Sequence, residues 1–195
     1  MEMDGKVVII TGAGSGIGRS LSQRIALLGV EALVCTDMNK ENAAETASSI
    51  GKKASSMFLD VGDEPEVERV VREAEQKYGR VDVFISNAGY AQYGGLELPT
   101  SDWERMMNVH AWSHLAAARA VIPGMLERGS GYLLSTASAA GLLTQMDSGP
   151  YAVSKHAAVA LAEWLSINYG EKGIGVSVLC PQAVRTNIGG VKDEN

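Results

Sequence analysis

The chain has 195 residues, enough for one domain with a sizeable core. Its formal net charge of −6 argues against a nucleic-acid or anionic-membrane surface, and no apolar run approaches the roughly 20 residues that a membrane-spanning helix needs. Two cysteines without a C-x-x-C give neither a redox pair nor a zinc set; Cys35 and Cys180 each end an apolar run and read as buried free thiols, which suits a reducing cytoplasm.

The opening Met1-Glu2-Met3-Asp4-Gly5 is acidic and runs straight into a strand, so it does not read as a signal peptide. Val7 to Ile10 is a β-branched run of the kind that fills a buried parallel strand. Thr11-Gly12-Ala13-Gly14-Ser15-Gly16-Ile17-Gly18 comes next and opens into a helical pattern over 17–28. Glycines between a strand and a helix let backbone come close to a pyrophosphate, and the helix N-terminus offers unpaired N–H groups. The literal G-x-G-x-x-G fingerprint is absent, and without G-K-[ST] the phosphate loop of the nucleoside triphosphatases is excluded. A second strand over 31–36 leads to Asp37. About twenty residues past the glycines, a carboxylate can accept hydrogen bonds from ribose hydroxyls and would repel a 2′-phosphate. A helix over 40–50, a strand over 54–59 and a charge-rich amphipathic helix over 64–78 come next. The strand over 81–85 leads to Asn87, a residue able to bridge backbone groups at a sharp strand exit.

A long helix is predicted over 101–127. His110 and His114 stand four apart on it. Ala111 takes the place of the glutamate in H-E-x-x-H and no third ligand has suitable spacing, so no metal is expected and both read as satisfied or exposed helix histidines. A strand over 131–135 is followed by Ser138, and thirteen residues later by Tyr151, with Lys155 four beyond. On a helix over 150–171 positions i and i+4 share a face, which sets an ammonium near a phenol and favours the phenolate. Such a tyrosine can exchange a proton with an alcohol or carbonyl, and a serine hydroxyl can hydrogen-bond the same oxygen. A last strand over 175–180 completes the alternation. Strand and helix in this rhythm predict an α/β fold: one Rossmann-like domain over 1–195, a doubly wound parallel sheet with helices on both faces. Ligands of such sheets bind at the carboxyl ends of the strands, where these motifs fall.

In this order the motifs resemble those of the short-chain dehydrogenase/reductase family over nearly the whole chain. Thr11–Gly18 is similar to its cofactor turn and Asn87-Ala88-Gly89 to its motif after the fourth strand. Asn108, Ser138, Tyr151 and Lys155 resemble its catalytic residues. The resemblance implies a hydride transfer between a nicotinamide cofactor and a secondary alcohol or ketone, with Tyr151 as general acid/base. It implies that Lys155 binds the nicotinamide ribose and that Asn108 holds a water linking Lys155 to solvent. It further implies cofactor contacts from Gly12, Ser15, Gly16, Ile17 and Gly18, from Asp60 and Val61, from Asn87, Ala88 and Gly89, from Tyr151 and Lys155, and from Pro181 and Thr186 beside the nicotinamide. Asp60 reads equally as an ordinary loop acid, and Asn87 as a structural bridge. No Lys or Arg stands at Ser15 or Met38, where the family would place a phosphate partner. Arg19 and Lys40 read as solvated helix charges, so NAD is expected over NADP. Tyr90, Tyr93, Leu142, Leu143, Gln145 and Met146 fall where they could line an apolar pocket. An NADPH-dependent carbonyl reductase and a non-catalytic NAD-binding sensor or scaffold are the alternatives.

Two features depart from the family pattern. Gln182 follows Pro181 where Pro-Gly is common, and the family usually continues for several dozen residues past Asn195. Val176 to Cys180 is apolar apart from Ser177, as in a strand covered on both faces. One more strand is therefore expected from a longer gene product, with 189–195 leading into a mobile substrate-covering loop. Ala116, Ala117, Ala118, Ala120, Ala157, Ala158, Ala160 and Ala162 enrich the last two helices, which would let them approach closely in a homodimer or homotetramer. Alternatively these alanines pack on their own sheet.

Overall fold

The apolar runs form β1 (Val7–Thr11), β2 (Ala32–Asp37), β3 (Ala54–Phe58), β4 (Val83–Ser86), β5 (Gly131–Thr136) and β6 (Ile174–Leu179). The structure is a computed structural model that describes residues 2–184 and 186, so the expected loop at 189–195 lies outside it. The strands make one parallel sheet in the order β3-β2-β1-β4-β5-β6. Between them run α1 (Gly16–Ala26), α2 (Lys40–Ile50), α3 (Glu64–Tyr78), α4 (Thr100–Met107), α5 (Ser113–Arg128) and α6 (Gly149–Tyr169). The order reverses between β1 and β4, which opens a crevice at their carboxyl ends.

The pleat divides the core into two layers. Val8, Ile10, Leu33, Cys35 and Ile85 point to one face, against Ile25 of α1 and Ala47 of α2. Ile9, Val34, Phe84 and Leu133 point to the other, against Val70 of α3, Met125 of α5 and Leu165 of α6. Each such side chain, fully buried, contributes about 1.5–3 kcal/mol. β1 is buried along its whole length. Along β6, Val159 of α6 packs with Val178, and Leu179 is exposed among the described residues.

The predicted long helix is interrupted. Asn108–Trp112 form a π-turn between α4 and α5, and the Ser113 N–H reaches back to the Asn108 carbonyl. His110 within this turn and His114 in the first turn of α5 are both buried. Most of the alanines also face inward: Ala116, Ala117, Ala118, Ala158 and Ala162 are buried within the chain. These five are covered by their own chain, whereas Ala120 and Ala157 are half-buried and Ala160 is exposed. Among the described residues no helix is long and apolar enough to cross a membrane.

Candidate active site

The glycine turn is shaped by contacts that leave no room for side chains. Gly12 has φ 66°, and a Cβ there would fall 2.8 Å from the Ala88 Cα. A Cβ at Gly18 would collide with the Gly12 carbonyl oxygen, so α1 starts pressed against the end of β1. Asn87 holds this arrangement. Its N–H donates to Thr11 Oγ1 (2.9 Å), its Nδ2 to the Thr11 carbonyl (3.0 Å), and its Oδ1 accepts from Thr136 Oγ1 (3.2 Å). The exits of β1, β4 and β5 are thereby tied together.

Asp37 closes the turn from the side: Oδ2 accepts from the Gly14 N–H and Oδ1 from the Asn39 N–H, both at 2.9 Å. Arg19 is not a free solvated charge. Its Nε and Nη2 donate to the Gly14 carbonyl at 3.0 and 2.6 Å, and Nη2 also meets Glu45 Oε2 at 2.8 Å. The guanidinium fork reaches back over its own first turn and clamps the loop. Asp60 Oδ1 accepts from the Gly62 N–H at 2.9 Å, the loop-closing role open to any such acid.

Two cavities run along this edge and share Ser15, Ala88, Gly89 and Tyr90. The smaller, about 440 Å³, lies between Gly12, Asp37, Asp60, Val61 and Asn108. The larger, about 630 Å³, is lined by Gly16, Ile17, Ser138, Tyr151, Lys155 and Thr186 among others, including Asn87 and Pro181. Together they make an elongated crevice with a side-chain-free cradle at a helix N-terminus and a carboxylate at one end. That shape and those donors fit a dinucleotide. Among the described residues no three His, Cys, Asp or Glu cluster as metal ligands would.

Ser138, Tyr151 and Lys155 meet at the larger cavity; Asn108 does not line it, and stands exposed at the head of the π-turn. Lys155 is 2% exposed, its Nζ donates to the Thr136 carbonyl at 3.0 Å, and it stands 5.7 Å from the Tyr151 ring centroid. Burial pulls its pKa down from 10.5 to about 8. Ser138 Oγ accepts from the Ala140 N–H at 3.1 Å. On the outer side, Tyr93 and Gln145 line the cavity, while Leu142, Leu143 and Met146 stand exposed nearby. The two loops bearing these residues are tied by Ser148 Oγ to the Gln92 carbonyl (2.7 Å) and by the Gly94 N–H to the Asp147 carbonyl (2.8 Å).

The two histidines fare differently. His110 is fully buried and hydrogen-bonded through both ring nitrogens. His114 is neither satisfied nor exposed: it is buried, and neither ring nitrogen has a partner among the described residues. Burial, and the Lys155 charge after it, push its pKa down to about 3. The sequence reading of a satisfied helix histidine holds for His110, but the buried, unpartnered state of His114 escapes it. The only available signal was the mostly apolar surround of Val109, Ala111 and Leu115 to Ala118.

A family model described as short chain dehydrogenase matches residues 6–195. A meso-2,3-butanediol dehydrogenase from Serratia marcescens is 33% identical over 190 residues, covering 96% of this chain and 75% of that protein. A 3beta-hydroxysteroid dehydrogenase 2 from Eggerthella lenta is 33% identical over 191 residues, covering 95% and 73%. The crystal structure of a short-chain dehydrogenase/reductase from Burkholderia phymatum in complex with NAD superposes with a TM-score of 0.92 at 35% identity, covering 96% of this chain and 69% of that one.

Proposed function

The chain belongs to the short-chain dehydrogenase family, a family of NAD(P)-dependent dehydrogenases and reductases, and from that premise we propose that it is an NAD-dependent enzyme interconverting a secondary alcohol and its ketone. The observation that carries this reading is the meeting of Ser138, Tyr151 and Lys155 on one cavity, continuous with a glycine cradle. In the oxidation direction Tyr151 Oη takes the hydroxyl proton, and in reduction it returns it. Ser138 Oγ hydrogen-bonds the reacting oxygen as charge develops there. Lys155, fixed by the Thr136 carbonyl, brings a positive charge to the phenol. The nicotinamide supplies the hydride chemistry when bound. Gly12, Ser15, Gly16, Ile17, Gly18, Asp37, Asp60, Val61, Asn87, Ala88, Gly89, Pro181 and Thr186 are the residues that would hold the dinucleotide, with Asn108 as a support to Lys155 through water.

Asp37 supports NAD over NADP, and Arg19, spent on Gly14 and Glu45, is not free to meet a 2′-phosphate. The unmodified protein is expected to favour NAD in kcat/KM, and Asp37→Ser to narrow that preference by removing the repulsion. Equal efficiency with both cofactors in the unmodified protein would refute the assignment and point to a carbonyl reductase. For the substrate, Lys155 is the one charged side chain among the described residues lining the larger cavity. That favours a neutral, partly apolar alcohol of medium size, in line with the butanediol and hydroxysteroid in the relatives' names. A panel of such alcohols and ketones, followed by nicotinamide absorbance with each cofactor, tests the reading. Cofactor binding without any turnover would replace it with a sensor.

A homo-oligomer belongs to the same proposal, on a different footing from the alanines. Val153, Trp164 and Ile167 of α6 and Trp112 beside α5 are large apolar side chains at least half exposed. Light scattering is expected to return a dimer or tetramer; monomer mass alone at micromolar protein would overturn it. A cytoplasmic location is part of the proposal too, in keeping with the free thiols of Cys35 and Cys180.

A further inference from the structure

Proton exchange at Tyr151 makes no direct use of His110, a fully buried side chain engaged through both ring nitrogens. The π-turn points its ring between the loop after β4 and the first turn of α6. Ser154 Oγ has one proton, which it donates to the Tyr151 carbonyl at 3.0 Å. In its 2.9 Å contact with His110 Nδ1, Ser154 must therefore accept, so Nδ1 carries a hydrogen. At the other edge of the ring the Tyr90 N–H donates to Nε2 at 3.2 Å, so Nε2 is bare. The two ends independently require the same neutral tautomer.

We propose that His110 is a positioning residue: a neutral strap, with its proton on Nδ1, that fixes the Gly89-Tyr90 loop against the turn of α6 bearing Tyr151. The ring lies edge-on to Tyr151 with centroids 5.4 Å apart, and tilted against Tyr90 at 5.6 Å. It leaves so little space that a Cβ on Gly89 would come 3.0 Å from Nε2 and 3.5 Å from Lys155 Nζ. Loop and tyrosine thus rest on one another through this ring, with Lys155 Nζ close to the same glycine. A second proton would turn Nε2 into a donor facing the Tyr90 N–H. The groups around it, Lys155 and His114 among the titratable ones and the Tyr90 and Tyr151 rings, give an added charge no partner. Burial and the Lys155 charge hold its pKa well below the ordinary histidine value. With both nitrogens engaged, the ring has none left for substrate, so its influence on turnover passes through Tyr151 and the loop.

Two measurements test this, and only the second rests on the proposed activity. In nitrogen-labelled protein, magnetic resonance of the histidine rings should show His110 with Nδ1 protonated and Nε2 bare, from neutral into mildly acidic pH. A proton on Nε2 overturns the strap. In turnover, His110→Phe keeps a flat ring and removes both hydrogen bonds; kcat should fall on the order of 10- to 100-fold, as for a small misplacement of reacting groups. His110→Asn retains an amide that can donate to Ser154 and should recover most of that kcat, even though its smaller side chain lowers the melting temperature more. Unchanged kcat in His110→Phe, or no recovery in His110→Asn, overturns the positioning role. If the unmodified protein oxidises no alcohol with either cofactor, the proposed function has failed, and the ring spectrum alone decides the strap.

Discussion

Tyr151→Phe should lower turnover on the order of 10²- to 10⁴-fold, the contribution of a positioned general acid/base, while NAD binding stays close to that of the unmodified protein. The ring is only 8% exposed and packs edge-on against His110, and phenylalanine preserves those contacts. What disappears is the one oxygen proposed to exchange the proton. Lys155 keeps its bond to the Thr136 carbonyl and the glycine cradle is untouched, so neither stability nor the dinucleotide site has reason to change. Calorimetric NAD titration beside steady-state kinetics separates the two effects. Turnover within about tenfold of the unmodified enzyme would remove Tyr151 from the mechanism, because no oxygen at that position would then be needed.

Much of this site is legible in the sequence because it is built from short-range rules. Tyr151 and Lys155 share a helix face by spacing alone, and the glycine turn sits between a β-branched strand and a helix in the one order that makes a cradle. Asp37 stands where the length of a βαβ unit puts it. All six described strands lie within about two residues of where apolar runs place them. The features that escape depend on partners distant in the chain. His110 and Ser154 are 44 residues apart, and no local pattern announces their bond. The π-turn escapes because one inserted residue barely disturbs an apolar repeat. Arg19 reads as a solvated charge because an arginine one turn into a helix usually is one; its long fork instead finds the Gly14 carbonyl. The alanines are ambiguous for the opposite reason: small side chains permit close packing anywhere, and most of them are buried within their own chain.

Acid should destabilise the fold by about 5 kcal/mol through His114 alone, since its pKa falls from 6.5 unfolded to about 3 folded. Between those values the unfolded chain binds a proton that the folded chain refuses. The stability is therefore fully present above pH 6.5 and is lost as pH falls toward 3, at about 1.4 kcal/mol for each pH unit. The cause is first desolvation and then repulsion: the ring is buried, has no hydrogen-bond partner among the described residues, and feels the Lys155 ammonium. His110, held low by the same burial and the same lysine, acts in the same direction. Carboxylates elsewhere also respond to acid, so the contribution of His114 must be isolated by difference. His114→Leu removes the titrating ring and replaces two unpaired nitrogens, a burial that costs about 1–3 kcal/mol for each unsatisfied group, with apolar surface. At neutral pH this variant should be at least as stable as the unmodified protein in urea. On acidification the gap between them should widen along that same slope. Parallel stability curves down to mildly acidic pH would mean that His114 takes up its proton without unfolding, and that the site around Lys155 tolerates a second positive charge.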